Sequence, residues 1–249
     1  MEGVKPMDQQ ISLDLVKKFD HSALSPLTND RAYYHFLKRV LDVTLVISAL
    51  VLLIPIMIVL AVLIVLDSGW PVLFTQERVG AKRWARKGFS YWQQTTFPCY
   101  KFRSMVKDAD ESLHQEFAKI LIEGRNLPDD AYQQFKSNDP RVTRIGKFLR
   151  RSSLDELPQV FNVLKGEMSL VGPRPVIPYE VNEYEEWHKA RLACLPGISG
   201  LWQVSGRCEK SFDYMIRKDI EYIQDQSLWL DFKILLLTIP SVFTTRGAD

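Results

Sequence analysis

Residues Val43–Leu66 read VTLVISALVLLIPIMIVLAVLIVL, with Asp42 and Asp67 at the two ends and no charged side chain between them. About 20 consecutive apolar residues are enough to cross the hydrocarbon core of a bilayer. The segment therefore ties the chain to a membrane and leaves the remainder to make a soluble fold. A cleaved signal peptide does not fit, because the run starts late, is long and is followed by no small-residue cleavage site. Its unbroken length also argues against a core helix of a soluble domain. A single span and a re-entrant insertion remain. Pro55, at the middle of the run, lacks an N–H and crowds the preceding turn, which predicts a kink or break there. Lys38 and Arg39 precede the run; Arg78, Lys82, Arg83, Arg86 and Lys87 follow it. Positive charge marks the cytoplasmic side. A single span puts one basic flank outside, whereas a helix that enters, bends at Pro55 and returns keeps both inside. Re-entry is the expectation, although spanning helices also contain Pro.

Working outward, residues 1–35 read as a polar N-terminal extension with one short helix over Ile11–Phe19, residues 36–67 as the membrane helix, and residues 68–249 as a cytoplasmic domain. Pro71–Phe74 and Cys99–Phe102 have strand character, and 81–97 between them reads as a loop or hairpin rich in Lys, Arg and aromatics. Leu113, Phe117, Ile120 and Leu121 share a helical face within 107–136, interrupted at Asn126–Asp130. Arg141–Arg151 is basic, with Ile145, Phe148 and Leu149 on one side. Val160–Leu164 reads as helix ending at Lys165-Gly166, 179–192 and 211–226 as further helices, and Gly172-Pro173-Arg174-Pro175 as a rigid loop. Leu228–Phe243 is apolar but carries Asp231, Lys233 and Pro240. It suits an interfacial amphipathic helix with Trp229 at headgroup level, or equally a core helix. The fold class is α+β, helix-rich and membrane-associated, with a small β element.

Composition agrees with a globular part: of 249 residues, 46% are hydrophobic and 25% charged. The net charge of +2 gives no reason to expect nucleic acid. Cys99, Cys194 and Cys208 have neither C-x-x-C spacing nor a histidine cluster, so neither a zinc site nor a disulfide framework is expected, and a reducing compartment suits them.

The chemistry centres on Asp155-Glu156. Pro158 is tolerated within the first turn of a helix, which places a helix start near Asp155 and a carboxylate at the positive end of its dipole. Arg150 and Arg151 lie just upstream. Both influences favour an ionised Asp155, a plausible nucleophile toward phosphorus. The competing reading makes Asp155 a helix cap, or Ser153 and Glu156 a capping box. Around this pair the sequence places Lys101, Arg103, Arg141, Arg144, Lys147, Arg150, Arg151 and Arg174. Guanidinium groups pair with phosphate oxygens, though a basic face against anionic lipid is an alternative for 141–151. Arg174 stands apart, held between Pro173 and Pro175 as electrostatic catalysis requires.

Six ordered stretches carry a resemblance: Gln76-Glu77-Arg78-Val79-Gly80, Lys101-Phe102-Arg103-Ser104-Met105, Asp139-Pro140-Arg141-Val142-Thr143-Arg144-Ile145-Gly146, Ser153-Leu154-Asp155-Glu156-Leu157-Pro158-Gln159, Leu170-Val171-Gly172-Pro173-Arg174-Pro175 and Pro196-Gly197-Ile198-Ser199-Gly200-Leu201-Trp202-Gln203-Val204. From about residue 36 to the C-terminus the chain resembles the bacterial sugar transferases, the monotopic phosphoglycosyl transferases. The resemblance implies a re-entrant helix in the bacterial inner membrane, with the catalytic domain facing the cytoplasm. It implies transfer of a sugar-1-phosphate from a UDP-sugar to undecaprenyl phosphate with release of UMP, the first membrane step of polysaccharide or glycoconjugate synthesis. Asp155 would attack the β-phosphorus, the resulting phosphosugar-aspartyl intermediate would pass to the lipid, and Glu156 would assist with Mg²⁺ or protons. Asp155 and Glu156 are thus the implied Mg²⁺ ligands, and Lys101, Arg103, Arg150 and Arg174, with Arg141 and Arg144, the implied phosphate-binding set. The Pro196–Arg207 stretch resembles the galactose- and glucose-phosphate branch. Residues 81–97 and 111–136 look expanded, with sugar choice or a homodimer contact as candidate roles. The first 35 residues are too few for the extra helices of larger relatives, so the chain reads as a catalytic-core form or a truncated piece. Two rivals stand: a glycosyl transferase that moves only the sugar and releases UDP, and a non-catalytic lipid-binding scaffold.

Overall fold

The computed structural model describes residues 31–86, 89–109, 112–123, 139–205 and 211–243. The expected helix Ile11–Phe19, the interruption at Asn126–Asp130 and Cys208 lie outside the described residues.

The apolar run forms one long helix, α1 (Ala32–Ser68), whose assignment continues through Pro55 without a gap. Length and composition suit it to a bilayer, and only 11% of its most apolar window is buried against the protein. A stripe at helical spacing faces the domain: Lys38, Asp42, Val46, Leu60 and Ile64 are buried, and Leu50, Leu53, Met57, Ala61 and Val65 pack against the cores between them. The opposite side exposes Leu45, Ile47, Val51, Leu52, Ile54, Ile56, Ile58, Val59, Val62 and Leu66. An exposed apolar surface of this extent needs a partner other than water. The stripe along the domain runs nearly the whole length of the helix, so both ends contact the same globular body. At the start, Arg31 donates to the Gln224 and Gln226 carbonyls and Lys38 pairs with Asp231 at 2.9 Å. At the end, the Asp67 carboxylate accepts from the Ile145 N–H at 3.0 Å.

The two short expected strands are the base of one antiparallel hairpin, β1 (Leu73–Arg86) and β2 (Phe89–Phe102), in register from Leu73↔Phe102 to Arg86↔Phe89. Residues 81–97 are therefore its distal arm. Trp92 is buried in the arm and joins Ala81, Val171, Cys194, Tyr222 and Ile234 in one cluster. Period-two alternation puts Phe97, Cys99 and Lys101 of β2 on the face shared by their partners Arg78, Gln76 and Phe74.

The helices then pack on both faces of the hairpin, Phe97 and Cys99 joining one cluster and Val79, Ala81 and Trp92 others. The helices are α2 (Ser112–Ile122), α3 (Arg144–Arg151), a 3₁₀ turn (Leu154–Glu156), α4 (Gln159–Lys165), α5 (Pro178–Asn182), a 3₁₀ helix (Glu186–Leu192), α6 (Leu201–Val204), α7 (Phe212–Asp225) and α8 (Leu228–Phe243). Strands β3 (Ser169–Val171) and β4 (Gly197–Ser199) pair in parallel between them. Gly146 of α3 lies so close to the chain after β2 that a Cβ there would sit 1.9 Å from the Ser104 carbonyl oxygen. α4 stops where expected, at Gly166 with φ +81°.

Phe148 does not join Ile145 and Leu149: Leu149 is sealed in the core while Phe148 is exposed. Four of the eight residues of α3 are basic (Arg144, Lys147, Arg150 and Arg151), which leaves little core-facing arc, and Phe148 falls outside it. α8 divides between both expected roles. Ile234 is fully buried, whereas Trp229, Phe232, Leu236, Leu237 and Ile239 form an exposed apolar face. Asp231, which breaks the apolar pattern, accepts hydrogen bonds from Lys38, Tyr34 and Tyr222.

Candidate active site

Asp155 and Glu156 lie in the 3₁₀ turn between α3 and α4. Ser153 ahead of them adopts the left-handed conformation, φ 55° and ψ 19°, and makes no side-chain cap. The alternative capping box is thus not formed, and the Glu156 carboxylate points elsewhere. Its Oε1 accepts from Lys101 Nζ and from Arg174 Nη2, each at 2.9 Å. Lys101 comes from β2 and Arg174 from the loop after β3, so three segments far apart in sequence meet at one oxygen. The pocket around it is lined by Arg78, Cys99, Lys101, Glu156, Gln159, Arg174, Pro175, Gly197 and Ile198.

The two acids are set apart by these surroundings. Burial raises the Asp155 carboxyl to about 6. Lys101, Arg174 and Arg150 pull it down, and the neighbouring Glu156 pushes it up. Burial also works to raise Glu156, but Arg174 and Lys101 outweigh it through charge and hydrogen bonds and hold it well below the ordinary range. This departs from the expectation that a helix dipole and the upstream arginines favour an ionised Asp155: desolvation wins, and α4 begins only after Pro158. Glu156 raises the pKa of Arg174 in turn. Among the described residues, nothing donates a hydrogen bond to the Asp155 carboxylate.

The other expected phosphate-binding residues divide. Arg150 stays within electrostatic reach of both Asp155 and Asp139. Arg141 turns to Asp139, with Nη2 at 2.7 Å and Nε at 2.9 Å from its oxygens. That contact depresses the Asp139 carboxyl. Arg144 is exposed at the start of α3. Arg103 is drawn off: it is 6% exposed, and Nη2 donates to the Ser68 carbonyl and hydroxyl at 2.8 and 2.9 Å and to the Gly69 carbonyl. It thereby caps the C-terminus of α1, where the orphan carbonyls of a helix end need donors. The strand alternation carries Lys101 to the Glu156 cluster, and Arg103, beyond the strand end, to the membrane helix.

For a divalent cation, the described residues contain no group of three or more His, Cys, Asp or Glu side chains. Mg²⁺ is commonly held by one or two carboxylates together with substrate phosphates and waters. Asp155 suits that role, while the Glu156 Oε1 already serves two cations.

The sequence profile of the family described as bacterial sugar transferase matches residues 33–245. The chain belongs to the bacterial sugar transferase family. The matched region takes in all but the first residue of α1, the hairpin and every residue of the Asp155 cluster. Among curated relatives, the undecaprenyl-phosphate galactose phosphotransferase of Salmonella typhimurium is 42% identical over 214 residues, covering 86% of this chain and 42% of that protein. The exopolysaccharide production protein ExoY of Rhizobium meliloti is 38% identical over 216 residues, 85% of this chain and 87% of that protein. The undecaprenyl-phosphate glucose phosphotransferase of Komagataeibacter xylinus is 39% identical over 222 residues, 85% of this chain and 36% of that protein. The chain thus spans less than half the length of the galactose and glucose phosphotransferases it matches and most of ExoY.

Sequence reading of this sugar transferase missed Arg78, Cys99 and Gln159 in the pocket wall. By sequence Arg78 belongs to the basic flank of the membrane run. It is instead largely buried, donating from Nη1 to the Pro175 carbonyl at 3.0 Å and from Nη2 to Gln76 at 2.7 Å. Burial and then the Arg174 charge lower its pKa. The available signal was its place in the Gln76–Gly80 motif, two residues before a glycine whose Cβ would press on Phe97.

Proposed function

We propose that this chain transfers a sugar-1-phosphate from a UDP-sugar to undecaprenyl phosphate at the cytoplasmic membrane face, releasing UMP. The observation that carries the reading is the asymmetry of the acid pair. Glu156 is locked as an anion between Lys101 and Arg174, while Asp155 beside it has no such partner among the described residues. The locked acid holds two cations in place for phosphate oxygens, and the other is left to react. A pKa held that low suits Glu156 to holding charge more than to moving protons.

In the first step an Asp155 carboxylate oxygen forms a bond to the β-phosphorus. The bond from that phosphorus to the bridging oxygen breaks, and UMP leaves with the electron pair. In the second step a phosphate oxygen of undecaprenyl phosphate attacks the same phosphorus and frees the Asp155 carboxylate. Lys101, Arg174, Arg150 and Arg78 supply the positive field for the diphosphate. Mg²⁺, held by Asp155 and the diphosphate oxygens, would neutralise phosphate charge. Relatives named as galactose, glucose and N-acetylgalactosamine phosphotransferases support a hexose-phosphate donor and a role in the synthesis of exopolysaccharide or a related surface polymer.

The re-entrant reading, with both ends of α1 on the cytoplasmic side, draws support from the stripe that binds the helix to one domain along its length. Labelling an introduced cysteine near residue 33 from outside intact cells would contradict it. For the reaction, purified protein given UDP-galactose, UDP-glucose or UDP-N-acetylgalactosamine with undecaprenyl phosphate should release UMP. Release of UDP instead would favour sugar-only transfer, and turnover unchanged by Asp155→Asn would reject the nucleophile.

A further inference from the structure

The loop that carries Arg174 presents four successive main-chain carbonyls, and each accepts a hydrogen bond from outside the loop. Gly197 N–H reaches Pro173 at 2.8 Å and Val79 N–H reaches Val176 at 2.8 Å. Arg78 Nη1 reaches Pro175 at 3.0 Å, and Arg191 Nη2 reaches Arg174 itself at 3.3 Å. Proline on both sides of Arg174 removes two donors and narrows the backbone, so these four acceptors carry much of the loop's main-chain attachment, beside the Gly172 N–H bond to Ser199.

The Arg191 contact has a second anchor. Its guanidinium is 6% exposed, and Nη2 lies 2.6 Å from Oδ2 of Asp219, a fully buried residue of α7. Nη1 donates to the Tyr184 hydroxyl at 2.9 Å. A buried ion pair is seldom better for stability than apolar residues of the same volume, so a fork that also reaches the Arg174 carbonyl calls for a reason beyond filling the core. Its planar geometry lets one cation address three acceptors at once, which an ammonium on a flexible stem does less well.

We infer that Arg191, paired with Asp219, is a positioning residue: it fixes the main chain at Arg174 so that the Arg174 guanidinium meets Glu156 and the diphosphate of the donor. The inference rests on the transfer reading above for its diphosphate. The physical link runs from α7 through Asp219, Arg191 and the Arg174 carbonyl to the Arg174 side chain and Glu156.

The test is a double-mutant cycle on the full chain, reading single-turnover UMP release from UDP-galactose. Misplacing a catalytic group by about 1 Å costs up to about 100-fold. Arg191→Lys keeps a cation for Asp219, and we expect it to slow release by about 10- to 100-fold, falling on kcat rather than KM. In an Arg174→Ala background the same change should cost less than about 2-fold, because its target is gone. Tyr184→Phe, a milder change, should show the same pattern at smaller size. An equal loss in both backgrounds would mean that Arg191 only supports the fold, and would overturn the inference.

A second arm needs no turnover. The Val79 and Gly197 amides, which hold the same loop, should exchange with deuterium faster in Arg191→Lys while the melting temperature stays near wild type. Unchanged exchange would also overturn the inference. If wild-type protein releases no UMP from any of the three UDP-sugars, the transfer reading falls, and the exchange arm still decides whether Arg191 pins the loop.

Discussion

Replacing Asp155 with Asn should make the protein more stable at pH 8 and leave it unchanged at pH 4. Burial raises the Asp155 carboxyl from 3.8 to about 6. The folded protein therefore holds this proton more tightly than the unfolded chain does. The stability linked to it is fully present below about pH 4 and is lost as pH rises through about 6. A shift of about two units corresponds to roughly 3 kcal/mol at most. Asp155 is half-buried, not sealed, so about 1–2 kcal/mol is the part we expect to be realised. A neutral Asn removes this penalty only where Asp155 would be charged. For a chain of this size about 2–4 °C accompanies each kcal/mol, so Tm should rise by roughly 2–8 °C at pH 8 and by less than about 1 °C at pH 4. The assay is thermal unfolding in one detergent by tryptophan fluorescence, in buffer freed of divalent cations. Adding Mg²⁺ should narrow the gap at pH 8, because a bound cation stabilises the ionised wild-type carboxylate. The reasoning is refuted if Asn lowers Tm at pH 8, or if the gain is the same at both pH values.

Glu156→Gln should act in the opposite direction, lowering Tm at pH 7 by a few degrees. It leaves Lys101 and Arg174 without their shared carboxylate, a loss of about 3–5 kcal/mol when fully buried and nearer 1–2 here, since Arg174 is over a third exposed. UMP release from this variant should fall by about 100-fold, as expected when positioned cations drift. Arg103→Gln and Arg174→Gln should differ in their effect on chemistry. The first loses the cap on α1 and about 2–3 kcal/mol of stability; the second gives up one of the two cations on Glu156, so its melting temperature falls by a few degrees, and it loses transfer. The metal-free rate of adduct formation should show an acid limb near pH 6, falling about tenfold per pH unit below it, and a flat profile from pH 4 to 8 would contradict the role of Asp155.

Much of this was legible in the sequence because it rests on strong local signals. The apolar run announces α1, Gly166 ends α4 by the left-handed conformation it adopts, and the Pro-Arg-Pro loop is rigid by covalent constraint. Pairing across distance was not legible. The sequence of 81–97 allows a loop or a hairpin, and only its cross-strand partners make it the arm that buries Trp92. Lys101 and Arg103 look equivalent in sequence, yet one reaches Glu156 and the other the end of α1. The acidity of Asp155 depends on how much water it loses, and no spacing of residues states that. Asp231 looked like an interruption of an apolar helix because its partners, Lys38 and Tyr34, lie nearly two hundred residues earlier.

The claim that a phosphosugar bonds to Asp155 can be read directly from the mass of the intact protein. Protein incubated with a UDP-sugar and Mg²⁺, without lipid acceptor, should gain the mass of one phosphosugar, lose it on addition of undecaprenyl phosphate, and show no gain as Asp155→Asn. An unshifted mass in protein that still turns over, or an adduct that persists in the Asn variant, would contradict it.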